Sequence, residues 1–185
     1  AVIFAGLPDS FESEGYDRSH MRLPDCQNEL IRRVLEVQKR VVVVLHCGSP
    51  VETPWADEVP AVLCMYLGGE GVGEATDALL YGDANPCGRL AETWPLRLED
   101  NPSYLNFPGD EDGVSYAEGV YIGYRYYDKK KMAVRWPFGH GESYTTFAYS
   151  NVRLSSEGEK VRVLVDVTNT GACAGKETVQ LYVED

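Results

Sequence analysis

Between Gly6 and Pro24 the sequence gathers Glu12, Glu14, Asp17, Arg18 and His20 in a stretch without apolar periodicity. Several carboxylates on one mobile loop can supply a general acid whose pKa rises when a cleft closes over it. The competing reading is a solvated loop with a local Asp17–Arg18 ion pair, and spacing alone leaves both open. Three other stretches hold reactive side chains. Gly68-Gly-Glu-Gly-Val-Gly-Glu74 invites a dinucleotide reading, but it lacks the GxGxxG spacing, and Glu70 and Glu74 would set negative charge beside a pyrophosphate. Close backbone approach is the use expected of those glycines. Leu45-His-Cys-Gly-Ser-Pro50 contains potential nucleophiles without the GxSxG elbow that exposes a serine at a strained turn. His20, His46 and His140 are isolated and expected to be structural. The five cysteines lie 21, 17, 23 and 86 residues apart, so no paired spacing suggests a zinc site. No metal and no cofactor is implied.

The elements that must position these groups read as α/β. Ala1 to Ala5 is a short apolar run ending at Gly6, and Val41 to Leu45 is another. Between them Leu30, Ile31, Val34 and Leu35 recur at helical spacing behind an expected N-cap at Asp25. Strand, long loop, helix, strand is a βαβ unit, and unbroken apolar strands suit a parallel sheet covered on both faces, with a right-handed crossover. Ala61 to Tyr66 continues as a strand, and Val72, Ala75, Ala78 and Leu79 as a helix face closed by Gly82. In open α/β sheets ligands bind beyond the carboxyl ends of the strands, which is where the 18-residue stretch from Leu7 to Pro24 lies. A connection that long in a compact domain is commonly functional or disordered.

From Phe147 the period changes to two. Val161, Val163, Val165 and Val167 alternate with Arg162, Leu164, Asp166 and Thr168; Asn169-Thr170-Gly171 marks a turn; Val179 to Val183 alternates again. That is a β-sandwich pattern with about three of the roughly seven strands an immunoglobulin-like sandwich needs. The first strand begins at the first residue, so both ends are expected to be cut. The fold class is therefore a mostly parallel sheet sandwiched by helices, followed by a partial β-sandwich. Residues 1–118 form the α/β part, 119–146 a Tyr- and Gly-rich interdomain segment and 147–185 the sandwich. The segment from Gly119 to Asp128 places four tyrosines within seven residues, which the sequence reads as packing, with sugar stacking as the sharper alternative.

Composition bounds the partners. The 185 residues carry a net charge of -12, and 44% are hydrophobic, which rules out disorder as the main state. Residues 47–118 hold 14 acidic and 2 basic groups, whereas the flanking thirds are nearly neutral. Such a surface repels phosphates and anionic lipid, so nucleic-acid and membrane partners are discarded. No apolar run approaches the roughly 18 residues of a membrane span, and no export signal is read at the N-terminus. The acidic third is expected to be a solvated outer face. An odd number of cysteines, with Cys47 and Cys64 in or beside apolar strands, favours a reducing, cytoplasmic setting over secretion.

Several stretches coincide with one family. Glu12-Ser-Glu-Gly-Tyr-Asp-Arg18 with Met21-Arg-Leu-Pro24 resembles the acid/base loop of glycoside hydrolase family 3, the β-glucosidase family. Val41 to Glu52, Gly82 to Pro95, Tyr121 to Asp128 and Phe138 to Phe147 resemble further stretches of it, and Val167 to Gly171 with Gly175 to Val183 is similar to the start of its fibronectin type III-like domain. Together they cover essentially the whole chain.

The resemblance implies a retaining exo-glycosidase built from a (β/α)8 barrel, an (α/β)6 sandwich and a fibronectin-like domain. This chain resembles the later part of the sandwich and the beginning of the third domain. Matching the Glu-Gly-Tyr-Asp-Arg core gives Glu14 the general acid/base role, with Glu12 as the fallback and Tyr16 and Arg18 as neighbours of the substrate. The nucleophile is expected on a barrel domain or companion chain. The implied substrate is an oligosaccharide or an aryl or alkyl β-glucoside, and homo-oligomerisation is left open. The competing readings are a non-catalytic carbohydrate-binding or structural module and a β-xylosidase of the same family.

Overall fold

In the computed structural model, which describes residues 1–184, strands β1 (Val2–Gly6), β2 (Val42–His46) and β3 (Ala61–Cys64) form one parallel sheet in that order. Gly6 pairs with His46, and Leu45 with Cys64. β2 is the central strand, and Val43, Val44 and Leu45 have no exposed surface. Covered on both faces, it needs no polar alternation, which explains its continuous apolar run.

Helix α1 (Asp25–Val37) returns the chain from β1 to β2 and buries Ile31 and Leu35. Leu30, expected on the same face, is half exposed. The N-cap also differs from expectation. Asp25 is the first helical residue and Pro24 occupies the cap position, its carbonyl accepting the Gln27 N–H at 2.9 Å. Proline there loses no hydrogen bond, because its missing N–H would be an orphan, and Asp25 keeps a favourable charge in the first turn. Glu29, Arg32, Arg33 and Glu36 lace the solvent side of α1.

Helix α2 (Val72–Tyr81) follows β3 and ends at Gly82, whose φ of +84° lies in the left-handed region. Of the neighbouring glycines, Gly68 makes the close approach expected, since a Cβ there would meet Val72 Cγ2 at 2.2 Å; Gly71 and Gly73 face open space. Helix α3 (Tyr124–Lys130) is not foreshadowed by the tyrosine-rich pattern. Tyr127 is buried and Tyr124 stacks on Phe138 at 5.0 Å, so these two rings pack, while Tyr121 is exposed.

Strands β4 (Phe147–Glu157) and β5 (Lys160–Asn169) form an antiparallel hairpin, with a register shift between Ser150 and Arg153 where Asn151 has a φ of +52°. The alternating stretch Val179–Val183 forms no strand among the described residues. Alternation marks which positions fit a pleated surface, but a ladder also needs a partner strand.

The chain divides into two compact units. One comprises Ala1–Glu74 with Ala91–Phe138; the other comprises Ala75–Leu90 with the residues from Gly139 onward. The first holds the parallel sheet, α1 and α3. In the second, the Asn85 side chain accepts from the Tyr144 N–H at 2.9 Å and donates to the Ala174 carbonyl at 3.1 Å, and Arg89 pairs with Glu177 at 3.0 Å.

Candidate active site

The stretch from Leu7 to Pro24 leaves the carboxyl end of β1 and is tied down at both ends. At its start the Gln27 side chain clamps Gly6, donating to its carbonyl and accepting from its N–H, each at 2.9 Å. Position 6 must be glycine, because a Cβ would lie 2.1 Å from the His46 carbonyl oxygen. At the far end Met21 and Leu23 are buried, and the Glu52 N–H donates to the Met21 carbonyl at 2.7 Å. Arg22 and Glu52 form a parallel bridge there.

Between these ends, Ser13 to Tyr16 makes a tight turn closed by a Ser13–Tyr16 bridge, with the Gly15 N–H on Ser13 Oγ at 3.3 Å. Glu14 stands at the tip of that turn, exposed. None of the hydrogen bonds or ion pairs among the described residues engages its carboxylate. Glu12, two residues earlier, is half-buried and committed: its Oε1 accepts the Gly48 N–H at 2.7 Å. Arg18 reaches the same loop, donating from Nη2 to Ser49 Oγ and, at 3.2 Å, to the Pro50 carbonyl. The Tyr16 hydroxyl donates back to the Asp9 carbonyl. The structure thus brings Glu12 and Arg18 onto the loop after β2 and leaves Glu14 projecting, while Tyr16 braces its own stretch and Asp17 makes no ion pair with Arg18.

Cys47, which precedes Gly48, and Cys64 at the end of β3 lie side by side at this end of the sheet. Cys47 has no exposed surface; a hydrogen bond with the Cys64 thiol, and then burial, push its thiol well above the usual range. Both cysteines are free thiols.

Residues that the sequence did not single out complete this end of the sheet. Tyr66, just beyond β3, has a φ of +50°, unusual for an aromatic residue. Its hydroxyl donates to Glu92 Oε1 at 3.1 Å and accepts from the Trp94 indole N–H at 3.0 Å. Burial pushes the Glu92 carboxyl up, and the Tyr66 and Arg18 interactions pull it partly back. Burial likewise raises Tyr66 above the ordinary phenol range. Glu92 lies within the quoted Gly82–Pro95 motif, but its partner is 26 residues away, and local spacing cannot show a contact of that separation. The acidic third is mostly solvated, as expected, except that Asp100 is buried and Glu52, Glu92 and Glu118 are half-buried.

Comparison with known proteins adds a family to this geometry. The model of the glycosyl hydrolase family 3 C-terminal domain matches residues 1–124. Thermostable β-glucosidase B of Acetivibrio thermocellus is 56% identical over 189 positions, which take in all of this chain and 25% of that protein. A probable β-glucosidase I of Aspergillus flavus is 49% identical over 98% of this chain and 23% of its own length. Among solved structures, the β-glucosidase of Kluyveromyces marxianus in complex with glucose aligns with a TM-score of 0.88 and 43% identity, covering 92% of this chain and 21% of that one. The chain spans about a quarter of the length of the curated relatives it matches.

Proposed function

This chain belongs to glycoside hydrolase family 3, and we propose that it is the part of a retaining, exo-acting β-glucosidase that carries the general acid/base, Glu14. The observation that carries this reading is the contrast within one turn. Glu14 projects uncommitted from its tip, while the flanking Glu12 and Arg18 are bonded to the loop after β2. A proton donor needs a carboxyl group that can reach the glycosidic oxygen, and Glu14 has that liberty. Its place in Glu-Gly-Tyr-Asp-Arg, the core of the stretch resembling the family's acid/base loop, supports the same role.

Hydrolysis then proceeds in two steps. Protonated Glu14 gives its proton to the leaving oxygen while a carboxylate, about 5 to 5.5 Å away, attacks the anomeric carbon. The Glu14 carboxylate next takes a proton from water, which displaces the sugar from the covalent intermediate. The nucleophile belongs to a (β/α)8 barrel outside this chain, a reading supported by relatives about four times as long. Substrates are terminal, non-reducing β-D-glucosyl residues, in keeping with the printed names of the relatives. Residues 1–118 read as the later part of the α/β sandwich, 119–146 as an interdomain segment and 147–185 as the start of a fibronectin-like domain. The chain alone, with half the catalytic pair, should hydrolyse nothing.

General acid catalysis is worth about 10² to 10⁴-fold, so Glu14→Gln in the full-length enzyme should lose that much on alkyl glucosides. Activated aryl glucosides, whose leaving groups need little protonation, should lose far less in the glycosylation step. An equal loss on both substrate types, or a larger loss from Glu12→Gln, rejects the assignment.

A further inference from the structure

A catalytic carboxyl group on an exposed turn presents a physical difficulty. Productive proton transfer needs the donor placed to about 0.5 Å, and sites on loops are less well fixed than those on strands or helices. The turn of Glu14 belongs to no strand or helix; Ser13 to Tyr16 is held by its bridge, by the Gly15 N–H on Ser13 Oγ and by the Tyr16 hydroxyl on the Asp9 carbonyl, all within the same stretch. Its ties to the loop after β2 come from two side chains, one on each side of the tip.

Two residues before Glu14, the Glu12 carboxylate accepts the Gly48 N–H at 2.7 Å, a charge-assisted bond. Gly48 lets the carboxylate come close, since even a Cβ there would lie 3.1 Å from Glu12 Oε2. Four residues after Glu14, the Arg18 guanidinium donates to Ser49 Oγ and to the Pro50 carbonyl at 3.2 Å. Both anchors therefore land on one tripeptide, Gly48-Ser49-Pro50. That tripeptide is flanked by buried residues on both sides. It lies between Cys47 at 0% exposure and Val51 at 1%, directly after the buried strand β2. The loop after the sheet's central strand is thus joined to both flanks of the turn by three hydrogen bonds from two side chains.

We propose that Glu12 and Arg18 are positioning residues for Glu14, gripping the Gly48-Ser49-Pro50 tripeptide from both sides so that the acid/base carboxyl is presented in one place. Glu12 acts as a hydrogen-bond acceptor and not as a proton donor. The inference rests on the assignment of Glu14 above.

The test uses the full-length enzyme with an alkyl glucoside and a dinitrophenyl glucoside. A misplacement of about 1 Å can cost about 10²-fold, so Glu12→Ala should lose alkyl-glucoside kcat by roughly that factor, with KM little changed, while dinitrophenyl-glucoside kcat/KM, which reports the glycosylation step, is largely kept. Glu12→Gln should restore most of the loss, because its amide oxygen still accepts from the Gly48 N–H. Arg18→Lys, which keeps the charge but loses the planar fork, should reproduce the Ala signature and serves if Glu12→Ala does not fold. Wild-type activity in Glu12→Ala, an equal loss of kcat/KM on both substrates, or a Gln variant as impaired as Ala would each overturn the proposal. If Glu14→Gln spares alkyl glucosides, the Glu14 assignment itself has failed. If Glu14→Gln shows the selective loss and neither anchor variant does, only the positioning role has failed.

Discussion

Residues 7–24 and residues 101–123 are both long, irregular and acidic, yet they are built in opposite ways. The first is tied to distant chain: Leu7 to His46, Glu12 to Gly48, Arg18 to Pro50 and Met21 to Glu52. The second is tied largely to itself, through turns such as Asn106 N–H to the Ser103 carbonyl and the reciprocal Asp110–Gly113 pair. It also leaves apolar side chains out, with Leu105 at 90% and Tyr116 at 85% exposure. Carboxylates alone do not separate the two stretches, since Asp110, Glu111 and Asp112 are three in a row. What separates them is the mechanical link to β2. A group meant to meet a substrate must be held by something that does not move, and long-range bonds to a buried strand supply that.

Leucine truncation gives the largest stability contrast between the stretches. Leu23 is 1% exposed, so Leu23→Ala in the full-length polypeptide should cost about 2 to 5 kcal/mol of stability in urea unfolding. Leu105→Ala should stay within about 0.5 kcal/mol. Similar costs for both would break the comparison.

A smaller effect sharpens it at the far end of the second stretch, where Tyr127 on α3 joins the core. Burial, and then the charge of Asp100, push its phenol from the ordinary 10.0 up to about 12. The unfolded state therefore loses its proton first as pH rises. The stabilising contribution is complete below pH 10 and declines as pH climbs towards about 12. Melting temperature between those pH values should fall less in Tyr127→Phe than in the unmodified protein. Parallel curves would show that the ring does not titrate as a buried group.

The sequence made the order of β1, α1, β2, β3 and α2 legible, and β2 and α1, Leu30 apart, bury what their apolar patterns led one to expect. β1, expected covered on both faces, leaves Val2 and Phe4 exposed, and α2 buries Thr76 while Ala75 of its expected face is exposed. Pairing was harder to read. Val179–Val183 alternates like a strand yet forms none, since a period specifies a face and not a partner. Helix α3 escaped notice because its core contact comes from Tyr127 within a run of similar residues, which shows no period. In the candidate site, the stretch resembling the family's acid/base loop was readable from Glu-Gly-Tyr-Asp-Arg, but the contrast between a bonded Glu12 and an exposed Glu14 was not. That contrast lies in a bond to Gly48, 36 residues away, and the Tyr66–Glu92–Trp94 cluster was hidden for the same reason.

The central claim, that Glu14 is the acid/base, meets its most direct test in azide rescue of the full-length Glu14→Ala enzyme acting on dinitrophenyl β-glucoside. Without the base, water attacks the glucosyl-enzyme ester slowly. Azide needs no proton removed, so it can attack the anomeric carbon, break the ester bond and release the nucleophile carboxylate. Accelerated turnover with β-glucosyl azide as product is expected from Glu14→Ala, and none from the wild type or from Glu12→Gln, which keeps the bond to Gly48. Absence of that product from Glu14→Ala, or its appearance with Glu12→Gln, would contradict the assignment.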